Sequence, residues 1–445
     1  MIGPTSETPT NPVASDLLKK VRLTDNLFAA WSTVRANVLA SGREQFKQEV
    51  RKISEQPVPY LRRLQRDLRT GTFRFVPQIG VLKGKKGGSK RGIVVAPIRN
   101  RIVQRAILNV LQSDDPRIVS RLGKIPKVLR APKSVGGIPG RGVHTGVAIA
   151  SEAIARGATH LLKSDIKSFF DHVPKDKVLE FIRSETNDHQ FADFMSDALA
   201  TELENADEVR DSLNLFPTEN IGVPQGSSLS AFAANVVLQE FDRVTNTQDV
   251  TTVRYIDDFL MLGPSERALR AVFRKGLREL SALGLSAYLP DSHSDKARLV
   301  LVSRGVNFLG CSVRGQLVAP SRDAKAKINK EIALTISVAK KDILYLLKEA
   351  IQRRAENGYI QTLALIDRKI RGWGDSYAFC NDRSLFGQLD ADLGKMVEQF
   401  GAWFHYHSRY AREREKSRAT GIALLIDTPQ KPLLTDNQTT PTGKM

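Results

Sequence analysis

Residues 251–263, TTVRYIDDFLMLG, set two adjacent acidic side chains into an otherwise apolar, β-branched run, and any fold has to accommodate both. TVRYI and FLML, on either side of Asp257 and Asp258, read as strands, so the pattern predicts a hairpin with the carboxylates at its bend. Like charges between buried strands repel one another and are costly to desolvate, which calls for a compensating cation. Divalent magnesium suits the role, because it prefers oxygen ligands and is usually held by one or two carboxylates plus substrate phosphates. An Asp pair alone also fits a solvated turn, and Asp114–Asp115 ahead of Pro116 is read that way. Asp257 and Asp258 differ from that pair in having apolar strand on both sides and a third carboxylate upstream in a similar setting.

The third carboxylate is Asp165, in THLLKSDIKSFFDHVP. A strand-like run, 160–162, delivers it, and the chain then turns through Phe169 and Phe170 into a helix opened by Pro174 with VLEFI as its apolar stripe. Three carboxylates at the ends of neighbouring strands suit two-metal phosphoryl transfer.

The 445 residues allow a large core and two or three subdomains. With 67 basic against 48 acidic residues the formal charge is +19, a field that attracts polyanions such as nucleic acid. Two cysteines, Cys311 and Cys380, exclude a disulfide framework and a Cys-rich zinc module; they are expected to be semi-buried thiols in a reducing compartment. There is no run of eighteen apolar residues and no basic-then-apolar leader, so a soluble, cytoplasmic protein without membrane contact is expected. His160, His172, His293, His405 and His407 are scattered and are read as structural.

Residues 1–15 and 428–445 read as disordered. The spacing predicts a helix over 17–40 and a second in PVPYLRRLQRDLRTGTF stopping near Gly71, whose Arg62, Arg63, Arg66 and Arg69 form either a solvated face or a track for phosphates. VLKGKKGGSKRGIVV predicts two strands joined by a Gly- and Lys-rich loop, which fits closure over a triphosphate or a plain solubilising tip. RNRIVQRAILNVL reads as a helix with an Arg/Gln side and an apolar side. Residues 121–145 read as an irregular basic connection near a template or as a surface loop, 179–203 as continuous helix, and 204–220 as a polar insertion. From 321 to 426 the pattern is helical, with basic faces interleaved with Trp373, Tyr377, Trp403 and Tyr410; most of these aromatics are expected in a bundle core.

YIDDF resembles the Tyr-x-Asp-Asp box of reverse transcriptases, and the resemblance runs in order along residues 22–410. NLFAAWSTVRANVLASG and 81–111 are similar to the fingers of bacterial enzymes of the group II intron type, LLKSDIKSFFDHV to their first catalytic block, and IGVPQGSSLSAFAANVVLQEFD to the Gln-Gly block. VNFLG resembles the primer-grip hairpin and IRGWGDSYAFC the Gly-Trp signature of the thumb. The resemblance implies an α+β right-hand polymerase fold: fingers over 16–158, a palm with an antiparallel sheet over 159–318, and a helical thumb over 319–427. It implies that Asp165, Asp257 and Asp258 are catalytic and, with Ile166, hold two Mg2+ ions, with Mn2+ as a substitute. Lys83 and Arg91 would meet the incoming nucleotide, Lys83 competing with Lys85, Lys86 and Lys90. Phe170 would pack under its sugar and exclude a 2′ hydroxyl, Gln225 and Gly226 would border sugar and base, and Leu309, Gly310 and Lys296 would lie at primer and template. The implied partners are dNTPs, a noncoding RNA template and an RNA–DNA duplex.

Ser230-Ala231 stands where most members of the group II type carry Ser-Pro, an Asn-Ala-x-x-His box and a Val-Thr-Gly expected of retron enzymes are missing, and little sequence follows the thumb for the DNA-binding and endonuclease domains of intron-encoded relatives. What is left resembles the stand-alone, defence-associated reverse transcriptases of bacteria. An intron maturase, a retron-type enzyme, an RNA-directed RNA polymerase and a template-independent or protein-primed DNA polymerase are the alternatives.

Overall fold

The structure is a computed structural model that describes residues 16–41, 44–84, 88, 90–292, 296–348 and 358–428. The ends expected to be disordered, Thr428 excepted, and Lys85, Lys86 and His293 lie outside the described residues. The chain mixes helix and sheet and divides into two compact units. One runs to Leu309 and takes back 313–316; the other holds 310–312 and the chain from Leu317 onward.

The first unit is built on a four-stranded antiparallel sheet. Its strands are β3 (His160–Asp165), β4 (Thr251–Tyr255), β5 (Asp258–Gly263) and β6 (Arg298–Leu301), in the order β4-β5-β3-β6. Side chains alternate between two cores, as the period of a strand requires. Phe259 and Met261 face Leu269, Val272 and Phe273 of the helix Glu266–Ala282, whereas Leu260 and Leu262 face Ala150 and Ala153 of the helix Val143–Ala155. A sheet covered on both faces explains why FLML is apolar without interruption.

Ahead of the sheet, helices Asp16–Val21, Thr24–Ala40, Glu44–Glu55 and Pro57–Thr70 precede the hairpin of β1 (Ile79–Gly84) and β2 (Lys90–Val95). Gly71, at φ 71°, ends the fourth helix where a left-handed residue was expected to stop it. The helix Ile98–Leu111 is less amphipathic than its sequence suggests. Asn100 and Gln104 are buried, Asn100 bonding both backbone groups of Val76 and Gln104 donating to the Ala198 carbonyl at 2.9 Å.

One expectation is corrected and two are made more specific. The helix over 179–203 is interrupted: Asn187 is left-handed at φ 49°, and Asp188 caps a new helix, His189–Leu199, through the Phe191 N–H. Residues 121–145 are no surface loop. They include the short helix Ile125–Leu129, and Ser134 lies parallel to Arg254 on the outer edge of β4, with Val135 N–H donating to the Arg254 carbonyl at 2.8 Å. The segment 204–220, read as a polar insertion, is largely exposed and is anchored at a few points. Its Val209 and Phe216 pack on Val94 of β2, and Asn205 pairs with both backbone groups of Gly80 in β1.

The second unit contains the helices Arg322–Lys348, Tyr359–Ser376, Arg383–Ser408 and Glu413–Thr420. Ile328, Ile332, Ile336, Ile343, Leu393 and Phe400 form its core, with Trp373 and Trp403 packed against it and Tyr359 stacked on Phe404 at 4.4 Å. Tyr410 instead is exposed. Cys311 and Cys380 are neighbouring free thiols, both buried more deeply than the semi-buried placement expected. Among the described residues no helix is long and apolar enough to cross a membrane.

The close fit of 204–220 on the β1–β2 hairpin yields a stability prediction. A methyl at Gly92 would lie 2.3 Å from the Leu215 carbonyl oxygen, while one at Gly84 would meet nothing within 4 Å. Gly92→Ala should therefore cost about 1–3 kcal/mol in urea unfolding and Gly84→Ala less than about 0.5 kcal/mol. Equal midpoints for the two variants would show that the segment moves aside freely.

Candidate active site

β3 ends at Asp165 and β5 begins at Asp258, and the antiparallel register makes these two residues direct partners. The turn from β4 into β5 has only Ile256 and Asp257 between the paired residues Tyr255 and Asp258. A turn this tight needs a positive φ at its first central residue, normally supplied by glycine, yet Ile256 occupies it at φ 61°. The Asp257 carbonyl accepts a bond from the Ile166 N–H at 3.1 Å, so the turn is tied to the chain leaving β3. The structure thus gathers Asp165, Ile166, Asp257 and Asp258 at one end of the sheet. Ile166 has its side chain in the core.

This corner crowds carboxyl groups together. Burial, and next the charge of Asp165, push the Asp257 carboxyl up to about 6. Burial pushes Asp258 up to about 7, opposed by the Lys163 ammonium and reinforced by Asp165 and Asp257. Lys163 Nζ stands 3.7 Å from Asp258 Oδ1, an ion-pair contact longer than a hydrogen bond. Among the described residues, no three His, Cys, Asp or Glu side chains are arranged to hold a metal ion by themselves. The donors present are nonetheless the hard oxygens that magnesium selects, and magnesium is commonly completed by water and substrate phosphate, so the site fits a divalent ion whose shell is completed by water or by a substrate.

Lys296 stands beside this corner. The Tyr288 N–H donates to the Asp165 carbonyl at 3.1 Å, Ser164 Oγ donates to the Tyr288 carbonyl at 2.7 Å, and the Tyr288 ring has Lys167 Nζ at 5.3 Å and Lys296 Nζ at 5.9 Å from its centroid. Phe170 is half-buried, edge-on to Phe169, and its carbonyl accepts from the Val223 N–H at 2.8 Å. That bond places it against the Pro-Gln-Gly turn, where Gln225 Nε2 donates to Asp171 Oδ1 at 3.2 Å and Gly226 sits at φ 112°. A methyl on Gly226 would lie 3.5 Å from the Val94 carbonyl of β2, so the turn borders the β1–β2 hairpin. On that hairpin Lys83 and Arg91 are direct partners; Lys83 is exposed, and Arg91 Nε is buried without a hydrogen-bond partner among the described residues. Leu309 and Gly310, at φ 52° and 79°, are the two central residues of a tight turn. Ser230 hydroxyl donates to the Pro224 carbonyl at 2.7 Å and so closes the Pro-Gln-Gly turn, while a methyl on Gly137 would lie 2.4 Å from the Ala231 side chain, which explains a small residue there.

Residues 83–313 match the profile of the family described as "Reverse transcriptase (RNA-dependent DNA polymerase)". The chain belongs to the reverse transcriptase family. It is similar to an uncharacterized 91 kDa protein in the cob intron of Schizosaccharomyces pombe, with 29% identity over 39% of this chain and 19% of that protein. Protein YkfC of Escherichia coli is 21% identical over 69% of this chain and 75% of its own length. A putative COX1/OXI3 intron 2 protein of Saccharomyces cerevisiae is 25% identical over 42% of this chain and 20% of its own. The chain thus spans about a fifth of either intron protein. Among solved structures, telomerase from Candida tropicalis aligns at a TM-score of 0.38 and 15% identity, over 56% of this chain and 55% of that one.

In this reverse transcriptase, sequence reasoning missed Lys163, Lys167, Tyr288 and Arg254. Lys163 was within reach, since it precedes Asp165 by two on a strand and so shares its face. The site also makes a testable pH dependence. Asp257 and Asp258 titrate higher folded than unfolded, where they sit near 3.8. Between about pH 4 and 7 the folded state therefore binds more protons, and stability in EDTA should fall as pH rises through that window. Asp258→Asn should remove part of the slope and raise stability at pH 8 by roughly 1–3 kcal/mol, read as a shift in the melting curve. A flat profile in the wild type would show that the carboxyls are not crowded.

Proposed function

We propose that the chain is an RNA-directed DNA polymerase in which Asp165, Asp257 and Asp258 carry the chemistry. The observation that supports this most directly is the β3–β5 register, which pairs Asp165 with Asp258 next to the Asp257 turn. Asp165, Asp257, Asp258 and the backbone at Ile166 would hold divalent magnesium, with manganese as a substitute. When bound, such an ion supplies Lewis acidity toward the primer 3′ hydroxyl and charge neutralisation at the leaving pyrophosphate.

The surrounding residues position the reactants. Arg91, whose buried Nε has no hydrogen-bond partner among the described residues, offers that donor to a phosphate oxygen, and its partner Lys83 adds a second cation. The Phe170 backbone is bonded to the segment that leads into the Gln225 turn, and its ring would leave no space for a 2′ hydroxyl, so deoxynucleotides are selected by exclusion. Lys296 and Lys167, flanking the Tyr288 ring, bring positive charge near the primer end. Leu309 and Gly310 form the primer-grip turn. We assign 16–158 to fingers, 159–318 to palm and 319–427 to thumb in a right-hand polymerase. A noncoding RNA serves as template, in the cytoplasm and in the service of antiphage defence. The intron proteins among the relatives favour a maturase-like RNA-binding role as the second reading.

Purified protein with a primed RNA template should extend the primer with dNTPs only when Mg2+ or Mn2+ is present. Asp257→Ala/Asp258→Ala should lower the rate by roughly three orders of magnitude or more. Phe170→Ala should raise ribonucleotide incorporation relative to deoxynucleotide by roughly 10- to 200-fold. Synthesis that survives the double substitution contradicts the site assignment, and RNA binding without any synthesis by the wild type favours the maturase reading.

A further inference from the structure

Arg254 is completely buried in β4, and its guanidinium is shared among four neighbours. Nε donates to Asp242 Oδ1 at 2.6 Å, and Nη2 reaches Asp242 Oδ2 at 2.5 Å, Ser134 Oγ at 3.0 Å and Asn235 Oδ1 at 3.1 Å. Nη1 is turned the other way, donating at 2.9 Å to the carbonyl of Ile256, the left-handed residue immediately before Asp257. A positive φ at a β-branched residue costs on the order of 1–3 kcal/mol and persists only where neighbours over-determine it. Gly136 closes the other side: a methyl there would lie 2.6 Å from the Ile256 nitrogen. Asn235 Nδ2 donates to the Gly136 carbonyl at 3.0 Å, and Ser134 Oγ donates to Asn235 Oδ1 at 2.9 Å, so the edge segment and the arginine form one network around the turn.

We propose that Arg254 is a positioning residue for the catalytic turn: anchored on Asp242, Ser134 and Asn235, it clamps the Ile256 carbonyl and so fixes the backbone from which Asp257 projects. The inference rests on the polymerase reading for its functional consequence. A fold-stabilising salt bridge would need only the contact with Asp242. A clamp needs a planar fork that serves Asp242 and the Ile256 carbonyl at once, and a lysine cannot provide that. The two roles therefore separate under conservative substitution.

Full-length wild type, Arg254→Lys and the double variant Asp242→Asn/Arg254→Gln are compared by melting curve, by Mn2+ binding without substrate (free Mn2+ read by EPR), and by primer extension. The double variant leaves no buried charge unpaired and keeps the test open should Arg254→Lys fold poorly. Expected are folded variants that bind Mn2+ on the order of 10-fold more weakly and lose a comparable factor in kcat. The KM for dNTP should change little. Wild-type Mn2+ affinity and kcat in either folded variant overturn the clamp while leaving the polymerase reading intact. If the wild type does not extend a primer, the polymerase reading fails instead, and the Mn2+ arm still decides whether Arg254 holds the carboxylates in place.

Discussion

Asp165 and Asp258 are partners across β3 and β5, and with Asp257 in the adjoining turn they concentrate three half-buried carboxyl groups at one end of the sheet. No rearrangement within the sheet separates them, because slipping the register by one residue would send Phe259 and Met261 to the wrong core. The apolar packing on both faces therefore enforces a local electrostatic conflict. That conflict is the property a phosphoryl-transfer site needs, since a divalent ion relieves it and protein cations relieve it only in part. Lys163, at 3.7 Å from Asp258, is near enough to temper the repulsion without neutralising it.

Much of the first unit can be understood as support for this corner. The 133–136 segment lines the edge of β4, Asn235 and Asp242 reach it from consecutive helices, and all converge on Arg254 beneath the Ile256 turn. The Pro-Gln-Gly turn is held by Ser230 and by Asp171, and the β1–β2 hairpin that it borders is backed by Phe216. Beneath the Ile256 turn, a strained and charge-crowded corner stands on the hydrogen-bonded network of Arg254, Asp242, Ser134 and Asn235, which is the arrangement expected when stability is spent at a site and recovered around it.

The hairpin, the three carboxylates and the helical second unit were legible in the sequence because each rests on local periodicity: alternating strand faces, turn residues at a bend, helical spacing. What was not legible depends on partners distant in the chain. Asn205 pairs with Gly80 across 125 positions, which polar composition at 204–220 could not reveal. Asn187 and Asp188 break a helix that apolar spacing alone would continue, although an Asn-Asp pair was a usable signal. Arg254 was the more instructive omission. A single cation inside TVRYI cannot be buried unpaired, so its presence already implied a carboxylate partner, and only the fold identifies that partner as Asp242.

Asp165, Asp257 and Asp258 are proposed to share divalent ions with a bound nucleotide. A crystal structure of the protein with a primed RNA template, a non-hydrolysable dNTP and Mn2+ tests it most directly, because anomalous scattering locates the ions themselves. Mn2+ is expected within about 2.0–2.5 Å of carboxylate oxygens from all three residues and of the triphosphate. Ions bound elsewhere, or a nucleotide seated away from these carboxylates, would contradict it.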